Sequence, residues 1–230
     1  GALNVRGAIM NSCNYYFAEM GYRMGMDTLR KYYADFGLGA PTGIEIGDTA
    51  GRLPSQNEGE NLAPWAAFGQ ANQEYSPLQL ANYIATLCGG GERYTTHLLK
   101  NVRSSGSGTL EYVYDAAPAE TVSMSSENLS AVLAGMHDLA ADGAVSSYFK
   151  DCIVDAAAKT GTIQTGDAKN NNGAFVCFAP YDDPQIAVAI VIEKGGTGAA
   201  LASTAVQVLN AYFSNASASS AVTGENALLG

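Results

Sequence analysis

Apolar residues recur at helical spacing over the first part of the chain. Across residues 3–36 they return every three or four positions, which predicts helices separated by a break. Gly37, Gly39 and Pro41 end this pattern. Residues 40–64 are rich in Gly, Pro, Asn and Asp and lack periodicity, so they predict an extended surface loop.

Two more helices are predicted in the middle of the chain. Pro77 suits the first turn of a helix, and the apolar face that follows it ends at the glycine run beginning with Gly89. Ser125 or Ser126 can cap a second helix that continues to about Ala141.

Strand patterns alternate with these helices and dominate the later part of the chain. Residues 96–103 and 109–115 predict two strands joined by a Ser-Gly turn. Residues 153–163, 174–179 and 186–193 predict three more. The last is an apolar run typical of a strand buried on both faces, and the short connection before it predicts an antiparallel hairpin.

A closing helix is predicted over residues 197–213. The small residues of 214–230 predict a disordered tail, which leaves one domain over residues 1–213. The predicted order is helices first, then an antiparallel sheet, and then a helix packed on that sheet. This order is typical of the α+β class.

Composition excludes several classes of protein. The 230 residues carry a net charge of −10, which argues against nucleic-acid binding. No run of 18 apolar residues occurs, so no transmembrane span is expected in this chain, and no signal peptide is recognisable. The cysteines form no Cys-x-x-Cys pair, so no metal site is predicted and free buried thiols are expected at Cys13, Cys88, Cys152 and Cys177.

The clearest chemical motif is Lys159-Thr160-Gly161-Thr162, inside the strand predicted over 153–163. An edge strand with an exposed lysine is one interpretation. The other is a strand that lines a site for an anionic substrate, with Lys159 as a point charge and the threonines as hydroxyl donors. Gly161 would then let a substrate backbone approach closely.

A second motif, Ser12-Cys13-Asn14, lies at the predicted helix break. Ser-x-Asn alone carries little information, because the chain contains two further examples at Ser55 and Ser126. Taken alone, Ser12 is best interpreted as a helix N-cap.

The two motifs together resemble two of the three motifs of penicillin-binding proteins and serine β-lactamases. Five segments resemble class B penicillin-binding proteins, in the family's order: residues 5–17, 36–46, 68–81, 158–164 and 175–193. Departures from the family pattern are Ala71 and Ala158 for glycines and Ile163 for alanine. The resemblance covers about residues 2–213 and is strongest to elongation-type penicillin-binding protein 2.

The resemblance implies a transpeptidase fold without its N-terminal strands and nucleophile helix. The family's nucleophilic serine belongs to a Ser-x-x-Lys motif located before Ser-x-Asn, so we expect no nucleophile in this chain and no activity from the chain alone. The chain's own Ser147-x-x-Lys150 follows Ser-x-Asn, which is the wrong order, and is interpreted as a loop serine and a solvated lysine.

The resemblance also implies roles for the motif residues. Ser12 would relay a proton, Asn14 would hold the substrate amide, and Lys159 would set the electrostatics and hydrogen-bond Ser12. Thr160 and Thr162 would bind the substrate carboxylate, and the Thr162 N–H would form half of an oxyanion hole. No cofactor is implied.

The implied function is peptidoglycan D,D-transpeptidation through a serine acyl-enzyme, inhibited by β-lactams. Implied partners are D-Ala-D-Ala stem peptides, β-lactam antibiotics, and glycosyltransferase and elongation-complex proteins that act in cell shape. The implied location is the outer face of the cytoplasmic membrane, with an anchor that this chain lacks. Open alternatives are a β-lactamase or D,D-carboxypeptidase, and a non-catalytic β-lactam sensor or scaffold of the same fold.

Overall fold

The computed structural model describes residues 2–56, 61–165 and 170–221. The helices are α1 (Val5–Met10), α2 (Asn14–Asp35), α3 (Ala63–Ala67), α4 (Pro77–Cys88), α5 (Ser126–Ala141), α6 (Ser146–Phe149) and α7 (Ala202–Ala221). The strands are β1 (Glu92–Tyr94), β2 (Asn101–Arg103), β3 (Leu110–Val113), β4 (Pro118–Thr121), β5 (Ala157–Ile163), β6 (Asn172–Ala179) and β7 (Ile186–Ile192). The architecture is α+β, as the pattern predicts.

An antiparallel sheet of order β5-β6-β7 lies at the centre of the molecule. The β6–β7 hairpin confirms the predicted connection. The prediction that β7 is buried on both faces is wrong, because its residues from Ile186 to Val191 are only partly buried and Ile192 is exposed. In the part of the chain that the structure describes, β7 has a neighbour on one side only, so its outer edge is uncovered.

Helices cover both faces of this sheet. On one face α1, α4 and α5 pack through a cluster of buried apolar residues: Ile9, Ile84, Leu87, Met136, Ala157 and Phe178. On the other face α6 and α7 pack around Phe175, Cys177, Leu201 and Leu209. The sheet is thus the middle layer of three, and β5 contributes to both apolar clusters.

A third, smaller cluster joins α2 and α3. The two helices approach closely at Gly21, where a Cβ atom would lie 2.4 Å from the carbonyl oxygen of Ala63. Only glycine permits this approach. Helix α2 is also kinked at Gly25, whose φ of 75° is not helical.

Several predicted boundaries need correction. The strands predicted at 96–103 and 109–115 shorten to β2 and β3, and β5 begins at Ala157 instead of residue 153. The closing helix is preceded by a 3-10 turn (Gly198–Leu201) and continues to Ala221, so residues 214–221 of the predicted tail are helical. Small residues such as alanine sustain a helix even where no apolar face is present. Residues 222–230 lie outside the described part.

The thiols are free, as predicted, but only Cys177 is fully buried, whereas Cys13, Cys88 and Cys152 are partly exposed. Burial raises the pKa of Cys177 to about 12 and that of Cys88 to about 11. Among the helices that the structure describes, none is both long and apolar enough to traverse a bilayer.

Candidate active site

The two sequence motifs meet at one hydrogen bond. The ammonium group of Lys159 donates to Ser12 Oγ over 2.6 Å and to the carbonyl oxygen of Thr160 over 2.9 Å. A Lys-Thr-Gly strand and a Ser-x-Asn turn, separated by most of the chain, therefore form one polar centre.

The end of helix α1 determines where Ser12 lies. The Ser12 N–H donates to the carbonyl of Ile9, and the Cys13 N–H donates to that of Ala8. This pair of bonds is the Schellman arrangement, in which the residue after the C-cap adopts a left-handed conformation and is usually glycine. Ser12 occupies that position with φ of 48°. A left-handed serine is strained by about 1–2 kcal/mol, so its side chain is retained at a cost in backbone energy.

Ser12 is consequently not a helix N-cap. The N-cap of α2 is Cys13, which makes no side-chain cap bond. The N-cap of α1 is Asn4, whose side chain accepts from the Gly7 N–H. The alternative interpretation of Ser12 as a helix N-cap is wrong for this structure.

Helix α1 is fastened to helix α5 by an exposed ion pair and by close backbone packing. Arg6 binds Asp138 with two hydrogen bonds, of 2.6 and 2.8 Å. The hydrogen bond from Arg6 lowers the pKa of the Asp138 carboxyl group. Gly135 lets the helices touch, since a Cβ atom there would lie 2.7 Å from the Arg6 carbonyl oxygen. The turn that carries Ser12 is therefore attached to a packed core.

Lys159 is half-buried on β5, opposite Val176 of β6. Desolvation by burial lowers its pKa to about 8. At neutral pH most Lys159 side chains are still protonated, but the protonated fraction is smaller than that of an exposed lysine. It can therefore serve as a cation for an anionic substrate and also lose its proton within a mildly alkaline range.

Alternation along β5 separates the motif side chains. The Lys159 side chain points to the face covered by α1 and α5, whereas those of Thr160 and Thr162 point to the opposite face. Ala157 and Ala158 alternate between the same two faces. Thr162 Oγ1 accepts a long hydrogen bond of 3.4 Å from the Gly198 N–H of the 3-10 turn. A Cβ atom on Gly161 would meet Ala174 at 3.4 Å, an ordinary contact, so the residues around it do not by themselves require glycine.

The side chain of Gln70 also contacts β5. The sequence pattern did not identify Gln70 as a site residue. Its side-chain nitrogen donates to the carbonyl of Thr162 over 2.7 Å, and its side-chain oxygen accepts from the Gln164 N–H over 3.4 Å. In the sequence, the Phe68-Gly69-Gln70 segment is distinguished only by its family resemblance. The sequence signal that could have identified Gln70 is its position directly after Gly69, because a glycine commonly ends a helix and so fixes the residue that follows.

Asn14 is the first residue of α2 and is exposed. It follows Ser12 by two residues, and the hydrogen bonds of the Lys159 ammonium group go to Ser12 and Thr160, not to Asn14. Ser147 and Lys150 are exposed on and just beyond α6, a helix that packs against α5 and α7. The chain's own Ser-x-x-Lys pattern thus lacks the burial found at Lys159.

Comparison with known proteins identifies the family. The model of the penicillin-binding protein transpeptidase domain matches residues 1–213. Peptidoglycan D,D-transpeptidase MrdA of Haemophilus influenzae is 29% identical over 94% of this chain and 37% of its own length. Penicillin-binding protein 2A of Bacillus subtilis is 32% identical over 72% of this chain and 25% of its own length.

Solved structures show the same fold. Penicillin-binding protein 2B of Streptococcus pneumoniae strain R6 superposes with a TM-score of 0.84 at 25% identity, over 93% of this chain and 39% of its own. Penicillin-binding protein 2 of Pseudomonas aeruginosa gives 0.79 at 26% identity, over 91% of this chain and 47% of its own. The chain thus spans less than half of these relatives. It belongs to the penicillin-binding protein transpeptidase domain family, in the class B group similar to MrdA and penicillin-binding protein 2.

Proposed function

We propose that this chain forms the part of a peptidoglycan D,D-transpeptidase that carries the Ser-x-Asn and Lys-Thr-Gly motifs. The observation that supports the proposal most directly is the 2.6 Å hydrogen bond between Lys159 Nζ and Ser12 Oγ. It joins a cation of lowered pKa to a hydroxyl group beside a strand. Such a pair suits proton transfer near an anionic substrate.

The proposed reaction is acyl transfer between two stem peptides. A serine oxygen attacks the carbonyl carbon of the penultimate D-Ala, its proton is taken up by a neighbouring base, and an ester forms. The peptide C–N bond breaks, and the terminal D-Ala leaves with a proton on its amine. The amine of a second stem peptide then attacks the ester, loses a proton and releases the serine. β-Lactams would form the same ester and remain on the enzyme.

The nucleophilic serine is proposed to come from a Ser-x-x-Lys segment outside these 230 residues. Ser12 would relay the proton to the leaving amine, and Asn14 would bind the substrate amide. Lys159 would keep Ser12 oriented and attract the substrate carboxylate, which Thr160 and Thr162 would bind. The Thr162 N–H would stabilise the oxyanion, a contribution of about 3 kcal/mol for one donor.

Location and partners are proposed from the relatives. Penicillin-binding protein 2 of Helicobacter pylori has been solved in complex with MreC. Penicillin-binding protein A of Mycobacterium tuberculosis has been solved as ceftriaxone and imipenem acyl-enzymes. For this protein we propose an enzyme that is anchored in the membrane and acts outside the cytoplasm. It would cross-link stem peptides during cell elongation, together with glycosyltransferase and elongation-complex proteins. It would also react with β-lactams.

Mass spectrometry tests the proposal. The full-length protein and the 230-residue chain are each incubated with excess penicillin G, and their intact masses are measured. We expect one penicilloyl adduct on the full-length protein and none on the chain. An adduct on the chain would place the nucleophile within it, with Ser147 as the first candidate.

Two lysine variants of the full-length protein sharpen this test. Lys159→Ala should abolish acylation, whereas Lys150→Ala, which removes an exposed lysine, should leave it unchanged. Normal acylation of Lys159→Ala would overturn the site assignment. Rapid hydrolysis of penicillin would identify a β-lactamase or D,D-carboxypeptidase, and a wild-type protein that forms no adduct would favour a scaffold.

A further inference from the structure

We propose that Gln70 is a positioning residue for the reaction, because its side chain holds the end of β5 where the oxyanion-binding N–H of Thr162 lies. The inference rests on the proposed function. Gln70 would not touch the reacting atoms itself. It would act by fixing the peptide groups on either side of Ile163.

The contact of Gln70 with β5 has the form of a peptide group. One end of its carboxamide donates to the Thr162 carbonyl over 2.7 Å, and the other accepts from the Gln164 N–H over 3.4 Å. A neighbouring strand satisfies such an edge with one donor and one acceptor of a peptide unit. The side chain therefore replaces a strand at this point and pairs the edge of β5 beyond Thr162.

The same edge of β5 carries the reaction centre. Backbone groups of alternate residues point to the same edge of a strand, so the groups of Thr160, Thr162 and Gln164 share one edge. The Thr160 carbonyl accepts from Lys159 Nζ, and the Thr162 carbonyl accepts from Gln70. The Thr162 N–H lies between these two contacts, on the edge open to a substrate. Its direction is consequently set by the two bonds that flank it.

Gln70 is itself held by the end of helix α3. The Gly69 N–H donates to the Ala66 carbonyl over 3.0 Å, and the Gln70 N–H donates to that of Trp65 over 2.9 Å. This is a Schellman arrangement with Gly69 in the left-handed position, at φ of 83°. Ser12 after α1 and Gln70 after α3 are thus both presented by the same kind of helix end.

Helix α3 is anchored in turn to α2. The Ala66 carbonyl also accepts from the Tyr33 hydroxyl over 2.8 Å and from the Gln73 side chain over 3.0 Å. Tyr33 belongs to α2, the helix that begins directly after Ser12 and Cys13. The two halves of the centre are therefore connected through α2, across its kink at Gly25, which favours a positioning role over an isolated surface contact.

The test separates rate from binding. In the full-length protein, Gln70→Ala is compared with wild type and with Gln185→Ala, which removes an exposed glutamine from the turn before β7. Stopped-flow acylation by a fluorescent penicillin yields the dissociation constant of the first complex and the rate constant of acylation. Hydrogen exchange of the peptide that spans Thr160 to Thr165 reports on the strand directly.

We expect Gln70→Ala to lower the acylation rate constant at least tenfold while the dissociation constant changes less than threefold, because misplaced donors act mainly on the transition state. The Gln164 amide should exchange faster, and Gln185→Ala should match wild type throughout. A Gln70→Ala protein that acylates at the wild-type rate would overturn this inference but leave the proposed function intact. A wild-type protein that forms no adduct would overturn both.

Discussion

Ser12 and Lys159 lie 147 positions apart, yet Lys159 Nζ and Ser12 Oγ are separated by only 2.6 Å. An ammonium group has no acceptor, so it must donate and the serine oxygen must accept. The Ser12 hydroxyl proton is then free to point to a third group. This arrangement orients Ser12 as a donor toward whatever occupies the open edge of β5.

The lowered pKa of Lys159 makes the stability of the protein depend on pH. The folded pKa is about 8 and the ordinary value is 10.5, so between these values the unfolded chain binds more protons than the folded one. The burial penalty is full below pH 8 and is relieved as pH rises to 10.5. Relative to Lys159→Met, wild type should gain on the order of 3 kcal/mol over this range, because one pKa unit corresponds to about 1.4 kcal/mol.

Chemical denaturation of both proteins at pH 7, 9 and 10 measures this difference. Subtracting the unfolding free energy of the variant from that of wild type removes the contribution of other groups that titrate at alkaline pH. Among these are Tyr33 and Cys88, because burial raises their pKa values to about 12 and about 11. A difference that stays constant with pH would show that Lys159 titrates normally.

The left-handed backbone of Ser12 predicts an unusual order of two substitutions. Ser12→Ala and Ser12→Gly both remove the hydroxyl group, but only glycine relieves the strain at φ of 48°. We expect Ser12→Gly to be the more stable by about 1 kcal/mol, the reverse of their usual order in a helix. Urea denaturation measures the order, and equal stabilities would argue against strain. In the full-length protein both variants should acylate equally slowly.

The Arg6–Asp138 pair predicts a coupling between α1 and α5. Arg6→Ala and Asp138→Ala should each lower Tm slightly, and the double variant should lose less than the sum. The effect should shrink in high salt, because more than half of the Arg6 side chain is exposed. It should also shrink in acid, since a carboxyl of lowered pKa contributes above its ordinary pKa and loses that contribution as pH falls. Additive losses at low salt would show that the pair is not coupled.

The close approach of α2 and α3 predicts that Gly21→Ala is destabilising. The new Cβ atom would lie 2.4 Å from the Ala63 carbonyl oxygen and 2.6 Å from Ala67 Cβ, so the helices must separate. We expect a loss of about 1–3 kcal/mol in the free energy of unfolding. Gly106→Ala is a matched control, since a Cβ atom there meets nothing within 4 Å. It should change stability by less than about 0.5 kcal/mol. Equal stability changes in Gly21→Ala and Gly106→Ala would mean that α3 can move away from α2 at little cost.

Local patterning was sufficient for the larger elements. The helices α2, α4 and α5 and the β6–β7 hairpin follow from apolar periodicity, capping residues and turn residues, which act within a few positions of the chain. The strands β1 and β4 were not predicted, because each has only three or four residues, six of the seven are exposed, and β4 begins with Pro118, so no apolar alternation can be read. They form only because each supplies the other's backbone partners.

The motifs themselves could be read from the order of residues, and their family resemblance led to Ser12 and Lys159 as partners. The left-handed serine, the lowered lysine pKa and the contact of Gln70 with β5 could not be read in the same way. Each depends on groups distant in sequence: the core that fastens α1 to α5, the burial around β5, and the anchoring of α3 on α2. A chain specifies its local conformations through neighbouring residues, but desolvation and hydrogen bonding across the site arise only once those elements have packed.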